Sequence, residues 1–116
     1  MEAIKYAEIF KLKRMLEDAE IPFVFIDKSC LIPVMGDKKF ESYQIEYPDR
    51  YLSGKRVCSV IEGYGTYGNE QDRLEIMGLL TSEEQEYDSV LGYLTAEEVF
   101  ARIKEHYDSE VYWGRV

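Results

Sequence analysis

Apolar side chains recur at helical spacing early in the chain. Ile9, Leu12, Leu16 and Ala19 share one stripe with Met15 beside it, while Lys11, Lys13 and Arg14 face away. The spacing predicts a helix ending near Glu20, because Pro22 lacks a backbone N–H and disfavours helical geometry at Ile21. Residues 21–27, rich in β-branched and aromatic side chains, predict a strand. Residues 28–39 contain Pro33, Gly36 and Asp37 and predict a loop with an irregular extended stretch. Across residues 40–47 the period changes to two. Tyr43, Ile45 and Tyr47 alternate with Ser42, Gln44 and Glu46, so a strand with one buried and one wet face is expected. Pro48-Asp49 and Ser53-Gly54 punctuate a turn. Residues 56–62, apolar on both faces through Val57, Val60 and Ile61, predict a central strand. Over residues 74–80, Leu74, Ile76, Gly78 and Leu80 alternate and Gly78 weakens a helix interior, which favours strand.

The last element has the clearest start. Thr95 caps a helix and Glu98 completes a T-x-x-E capping box, after which Ala96, Val99, Phe100, Ile103 and Tyr107 form one apolar face. Glu98 precedes Arg102 by four residues, the favourable direction for a helical ion pair. Residues 76–84 echo in residues 90–98, each an extended apolar segment with a Gly and then a Thr-initiated turn into acids. Both copies predict a strand running into a helix start, the first helix a single turn; two copies are too few for a solenoid. The sum is an α+β fold: an N-terminal helix, an antiparallel sheet of about four strands, and a C-terminal helix packed on one sheet face.

A length of 116 residues fits one domain, residues 1–116. Apolar residues make up 46% of the chain, enough to build a core despite a net charge of −9. That charge argues against direct nucleic-acid binding, which needs Lys and Arg to replace phosphate counterions, and against anionic membranes. Its position says more. Residues 1–58 hold ten acids and ten bases, whereas residues 59–116 hold thirteen acids against Arg73, Arg102, Lys104 and Arg115, so 4 − 13 = −9. The densest run includes Glu83, Glu84, Glu86 and Asp88. It reads as a solvated helix start, or as an acidic face that meets a basic partner. Without a signal-type apolar segment or a CxxC, and with Cys30 and Cys58 in separate segments, a soluble cytoplasmic protein with reduced thiols is expected.

Residues 63–68, Gly-Tyr-Gly-Thr-Tyr-Gly, match G-x-G-x-x-G. A dinucleotide site would need a helix opening there inside a βαβ unit, yet the next segment predicts a strand and Glu62, Glu70 and Asp72 repel phosphate. The segment reads instead as a hairpin connection. Tyr64, Tyr67, Asn69 and Arg73 are its candidate ligand contacts, for a protein or for a sequestered nucleotide signal. Catalysis finds little support: Cys58 reads as a small core residue and His106, the single His, as a boundary residue beside the helical stripe. One His and two distant Cys do not make a zinc site, and no calcium-loop pattern is present, so neither metal nor cofactor is expected. Of ten Tyr, the strands absorb Tyr43, Tyr47 and Tyr93; Tyr87 and Tyr112-Trp113 sit in loop or end positions.

The Gly-rich segment, the Leu74–Leu80 stretch and above all Leu94-Thr95-Ala96-Glu97-Glu98-Val99-Phe100 resemble small uncharacterised proteins encoded by phages and prophages of Gram-positive bacteria. The resemblance covers roughly residues 10–107 and carries over no functional residue. It implies a context in which small acidic proteins inhibit host defence or nucleic-acid-handling proteins by binding alone. The expectation is therefore a non-enzymatic binder of a host protein with a basic surface, using its acidic C-terminal half.

Overall fold

The computed structural model describes residues 6–32, 38–49, 56–63 and 72–113, with backbone alone at 30–32, 38–40 and 110–113. The first helix, α1 (Ala7–Asp18), buries Ile9, Leu12 and Leu16, the stripe read from the sequence. It closes with Glu20 in the left-handed region at φ 58°. Ile21 N–H then donates to Leu16 O at 3.0 Å and Glu20 N–H to Glu17 O at 3.1 Å, satisfying carbonyls that the helix leaves free. Ile21 and Leu16 are both buried, so the chain reversal is sealed by apolar contact as well as by Pro22.

Seven strands follow among the described residues: β1 (Val24–Asp27), β2 (Cys30–Ile32), β3 (Lys38–Phe40), β4 (Ser42–Tyr47), β5 (Cys58–Gly63), β6 (Leu74–Met77) and β7 (Val90–Leu94). Five form one sheet in the order β1-β4-β5-β6-β7, every neighbouring pair antiparallel. The architecture is the α+β meander predicted, with five strands rather than four and the Val60 strand in the middle.

Two expectations need correction. The segment 28–39 is not simply a loop, because β2 and β3 pair with Cys30 opposite Phe40 and Ile32 opposite Lys38. These pairs keep the register of β1–β4, in which Asp27 faces Tyr43, so one long hairpin inherits a single alignment. It is interrupted where Ser29 Oγ accepts from Ser42 N–H at 3.0 Å, which splits the predicted 40–47 strand at Glu41. The second correction concerns the face of β4 expected to be wet. Gln44 and Glu46 are buried beside Ser59; Gln44 Nε2 donates to Ser59 Oγ at 2.7 Å and Arg56 Nη1 to Glu46 Oε2 at 3.2 Å. Polar groups can sit there because each has a partner.

Two further helices among the described residues are α2 (Ser82–Tyr87) and α3 (Ala96–Trp113). Both open as the internal echo predicts. Thr81 and Glu84 exchange backbone and side-chain hydrogen bonds at 2.8 and 3.2 Å, and Thr95 and Glu98 do so at 3.3 and 3.2 Å. Helices α1 and α3 share the core: Ala96, Val99 and Ile103 are fully buried with Ile9, Leu12, Ile45, Val60 and Ile76. Lys11 and Glu97 form an ion pair between the two helices. Tyr43 and Tyr47 are core residues as expected, but Tyr93 is 59% exposed. One extra residue lies between Leu91 and Leu94 relative to β6, and Tyr93 adopts φ 62° in this bulge, which turns it outward. Tyr112 and Trp113 belong to helix α3 rather than to an irregular end.

Candidate functional site

The acidic run of the C-terminal half is displayed by a short, well-built element. Gly78 at φ 101° and Leu79 at φ 55° end β6 and redirect the chain, and the Thr81–Glu84 capping box then starts α2. Gly78 is required there because a Cβ would lie 2.4 Å from Val57 O.

Arg102 does not pair with Glu98 as helical spacing suggested, because Glu98 is engaged in the Thr95 cap. Its guanidinium reaches α2 instead: Nη1 donates to Glu84 Oε1 at 2.8 Å and to Leu79 O at 2.9 Å, and Nη2 donates to Glu84 Oε2 at 2.6 Å. The two-pronged bond and the Thr81 cap hold the Glu84 carboxyl down at about 2. Glu84 is thus a structural clamp between α2 and α3 and leaves the set of acids offered to a partner.

Glu83, Glu86 and Asp88 remain exposed. Asp88 accepts from Ser89 N–H at 2.7 Å; Glu83 and Glu86 have no hydrogen-bond or ion-pair partner among the described residues. Four large apolar side chains stand exposed among the described residues, and three of them lie along this segment. They are Tyr87 at 91%, Tyr93 at 59% and Met77 at 47%, the last directly across from Val90. Strand β7 is also an edge of the sheet. Acids, exposed aromatic rings and an edge strand therefore fall together within residues 77–94.

An open groove of about 490 Å³ lies between the Leu79–Thr81 turn and the Arg102, Glu105 and His106 face of α3. His106 Nδ1 is 2.7 Å from Tyr47 Oη, with the rings edge to face at 88°. Tyr47, not Cys58, is the group bonded to His106. Burial pushes the Cys58 thiol up to about 12, against a smaller pull downward from Arg56, so at neutral pH it is neither thiolate nor accessible.

Of the Gly-rich candidates, Tyr64, Tyr67 and Asn69 lie outside the described residues. Arg73 Nη1 donates to Asp72 O at 3.0 Å. The flanking strands β5 and β6 pair antiparallel, whereas the strands of a dinucleotide-binding βαβ unit are parallel.

Sequence reasoning missed a set of carboxyl groups at the helix starts. Asp72 accepts from the N–H groups of Ala7 and Glu8 at 3.2 and 3.3 Å. Glu62 Oε1 accepts from Ile9 N–H at 3.3 Å, and Glu8 Oε1 accepts from Ala96 N–H of α3 at 2.8 Å. Glu62 is completely buried, and its Oε2 accepts no hydrogen bond. Desolvation first, and then the hydrogen bond and charge of Asp72, push its carboxyl up to about 9. The signal was present in the period: Cys58, Val60 and Glu62 fall on the core face of one strand, where an acid is out of place.

Among the described residues no group of three or more His, Cys, Asp or Glu is placed to hold a metal ion, and no helix is long and apolar enough to cross a membrane. No protein-family model, curated protein or solved structure matches this chain.

Proposed function

We propose that this chain acts by binding a protein with a basic surface through the α2–β7 side of the molecule, without catalysis. The observation that carries the reading is the coincidence of Glu83 and Glu86, unpaired among the described residues, with exposed Tyr87, Tyr93 and Met77 on a half that holds the whole net charge. Tyrosines supply large, rigid contact area, carboxylates supply steering and register, and aromatic faces attract Lys and Arg. The reading is supported further by Cys58, a buried thiol rather than an accessible nucleophile. The resemblance to phage-encoded proteins makes a host nuclease or other nucleic-acid-handling protein the first partner class to try, since such proteins carry basic grooves.

The test is capture from Gram-positive host lysate on the immobilised chain, comparing wild type with Glu83→Lys/Glu86→Lys and with Tyr87→Ala/Tyr93→Ala. All four positions are exposed, so the fold is retained. A specific host protein should be held by wild type at about 0.1 M salt, weakened at roughly 0.5 M, and lost by the charge-reversed variant. Equal retention by wild type and both variants, or no specific protein at any salt, overturns the reading.

A further inference from the structure

We propose that Glu62 and Asp72 form a proton-held clasp across the neck of the Gly-rich segment, joining both ends of that segment to the start of α1 while Glu62 carries a proton. Glu62 is the penultimate residue of β5 and Asp72 stands two residues before β6, so the pair brackets residues 63–71. Both grip consecutive amides of one helix turn: Asp72 takes Ala7 and Glu8, and Glu62 takes Ile9. At the next residue a Cβ on Gly63 would lie 2.9 Å from Ser42 Cα, so the backbone of β5 is pressed against β4.

Arg73 stands beside the pair, its Nη1 donating to the Asp72 backbone carbonyl at 3.0 Å, and the other charged or titratable neighbours are acids and phenols. From α1 and its cap come Glu8 and the Tyr6 phenol; from β4 comes Tyr43, opposite Glu62 in register; Asp72 itself stands before β6. Glu41 adds further negative charge near Tyr6, whose phenol burial and these acids together push up. Glu8 is turned to Ala96, which carries the same network to the start of α3. The fully buried Glu62 carboxyl stands beside the half-buried Asp72 carboxylate, and the two repel unless Glu62 keeps its proton. A neutral Glu62 donates to Asp72 through the oxygen that accepts nothing.

The direction of the pH dependence follows. The unfolded chain releases the Glu62 proton near about 4.3, the folded chain near 9. The clasp is at full strength below the unfolded value, weakens as pH rises, and is lost above the folded value.

The experiment follows the full chain by carboxyl-carbon NMR, by amide exchange at Ala7, Glu8 and Ile9, and by melting temperature from about pH 5 to pH 10. The Glu62 carboxyl should titrate several units above an ordinary glutamate. Exchange at the three amides should accelerate about tenfold beyond its intrinsic pH dependence as that proton leaves. Glu62→Gln, whose side-chain amide donates at every pH, should flatten the melting profile across the window, and Asp72→Asn should lower the Glu62 titration. An ordinary titration of Glu62, or a Glu62→Gln profile parallel to wild type, overturns the proposal. The wild-type titration decides alone if a variant does not fold.

Discussion

At the residue scale, positions that break their element's local rule decide most of the geometry. Gly78 alternates with Leu74 and Ile76 as a strand residue would, and that reading of the sequence is right for residues 74–77. Its specific role was invisible, because φ 101° and the 2.4 Å approach to Val57 O depend on where β5 lies. Gly78→Ala should lower stability by about 2 kcal/mol or more, measured by urea unfolding, since the new Cβ meets backbone that cannot give way and the dihedral itself is strained. Glu62 is the converse case. Alternation placed it on the core face, yet what makes it tolerable, the amide of Ile9 and the carboxyl of Asp72, comes from distant chain segments.

At the scale of elements, capping chemistry was legible and pairing partners were not. The two Thr-x-x-Glu starts appear as read because a capping box is a contact over three residues that needs no tertiary context. The same box removes Glu98 from Arg102, and Arg102 crosses to α2, eighteen residues away. Helix α2 has six residues and no buried side chain, so it has little to hold it besides its cap and this clamp. Arg102→Ala should therefore loosen α2 while α3 persists. The expected cost is about 1–2 kcal/mol, seen as faster amide exchange confined to residues 82–87. Acid should have a similar local effect: the Glu84 carboxyl is depressed in the fold, so its contribution is complete above the ordinary carboxyl value and is lost as pH falls toward 2.

At the scale of the whole molecule, nine net charges sit on one half of a small domain, and self-repulsion there opposes compactness. Surface pairs such as Lys13–Glu17 and Lys104–Asp108 are worth little, so screening the repulsion should outweigh weakening the pairs. Raising salt from about 0.02 to 0.2 M at pH 7 should raise the melting temperature by a few degrees, roughly 0.5–1 kcal/mol, followed by circular dichroism. A falling melting temperature would mean that the ion pairs dominate. The sequence by itself determined the α+β class, the central Val60 strand, the buried stripes of α1 and α3 and the location of the charge. These follow from periodicity and composition, which act over a few residues or over none. Only the tertiary structure decided which acids are free. Glu84 is taken by Arg102, Glu62 is buried against Asp72, and Glu83 and Glu86 are left beside Tyr87 and Tyr93. A carboxylate's role depends on the donor that reaches it, and here those donors arrive from segments that the chain order keeps apart.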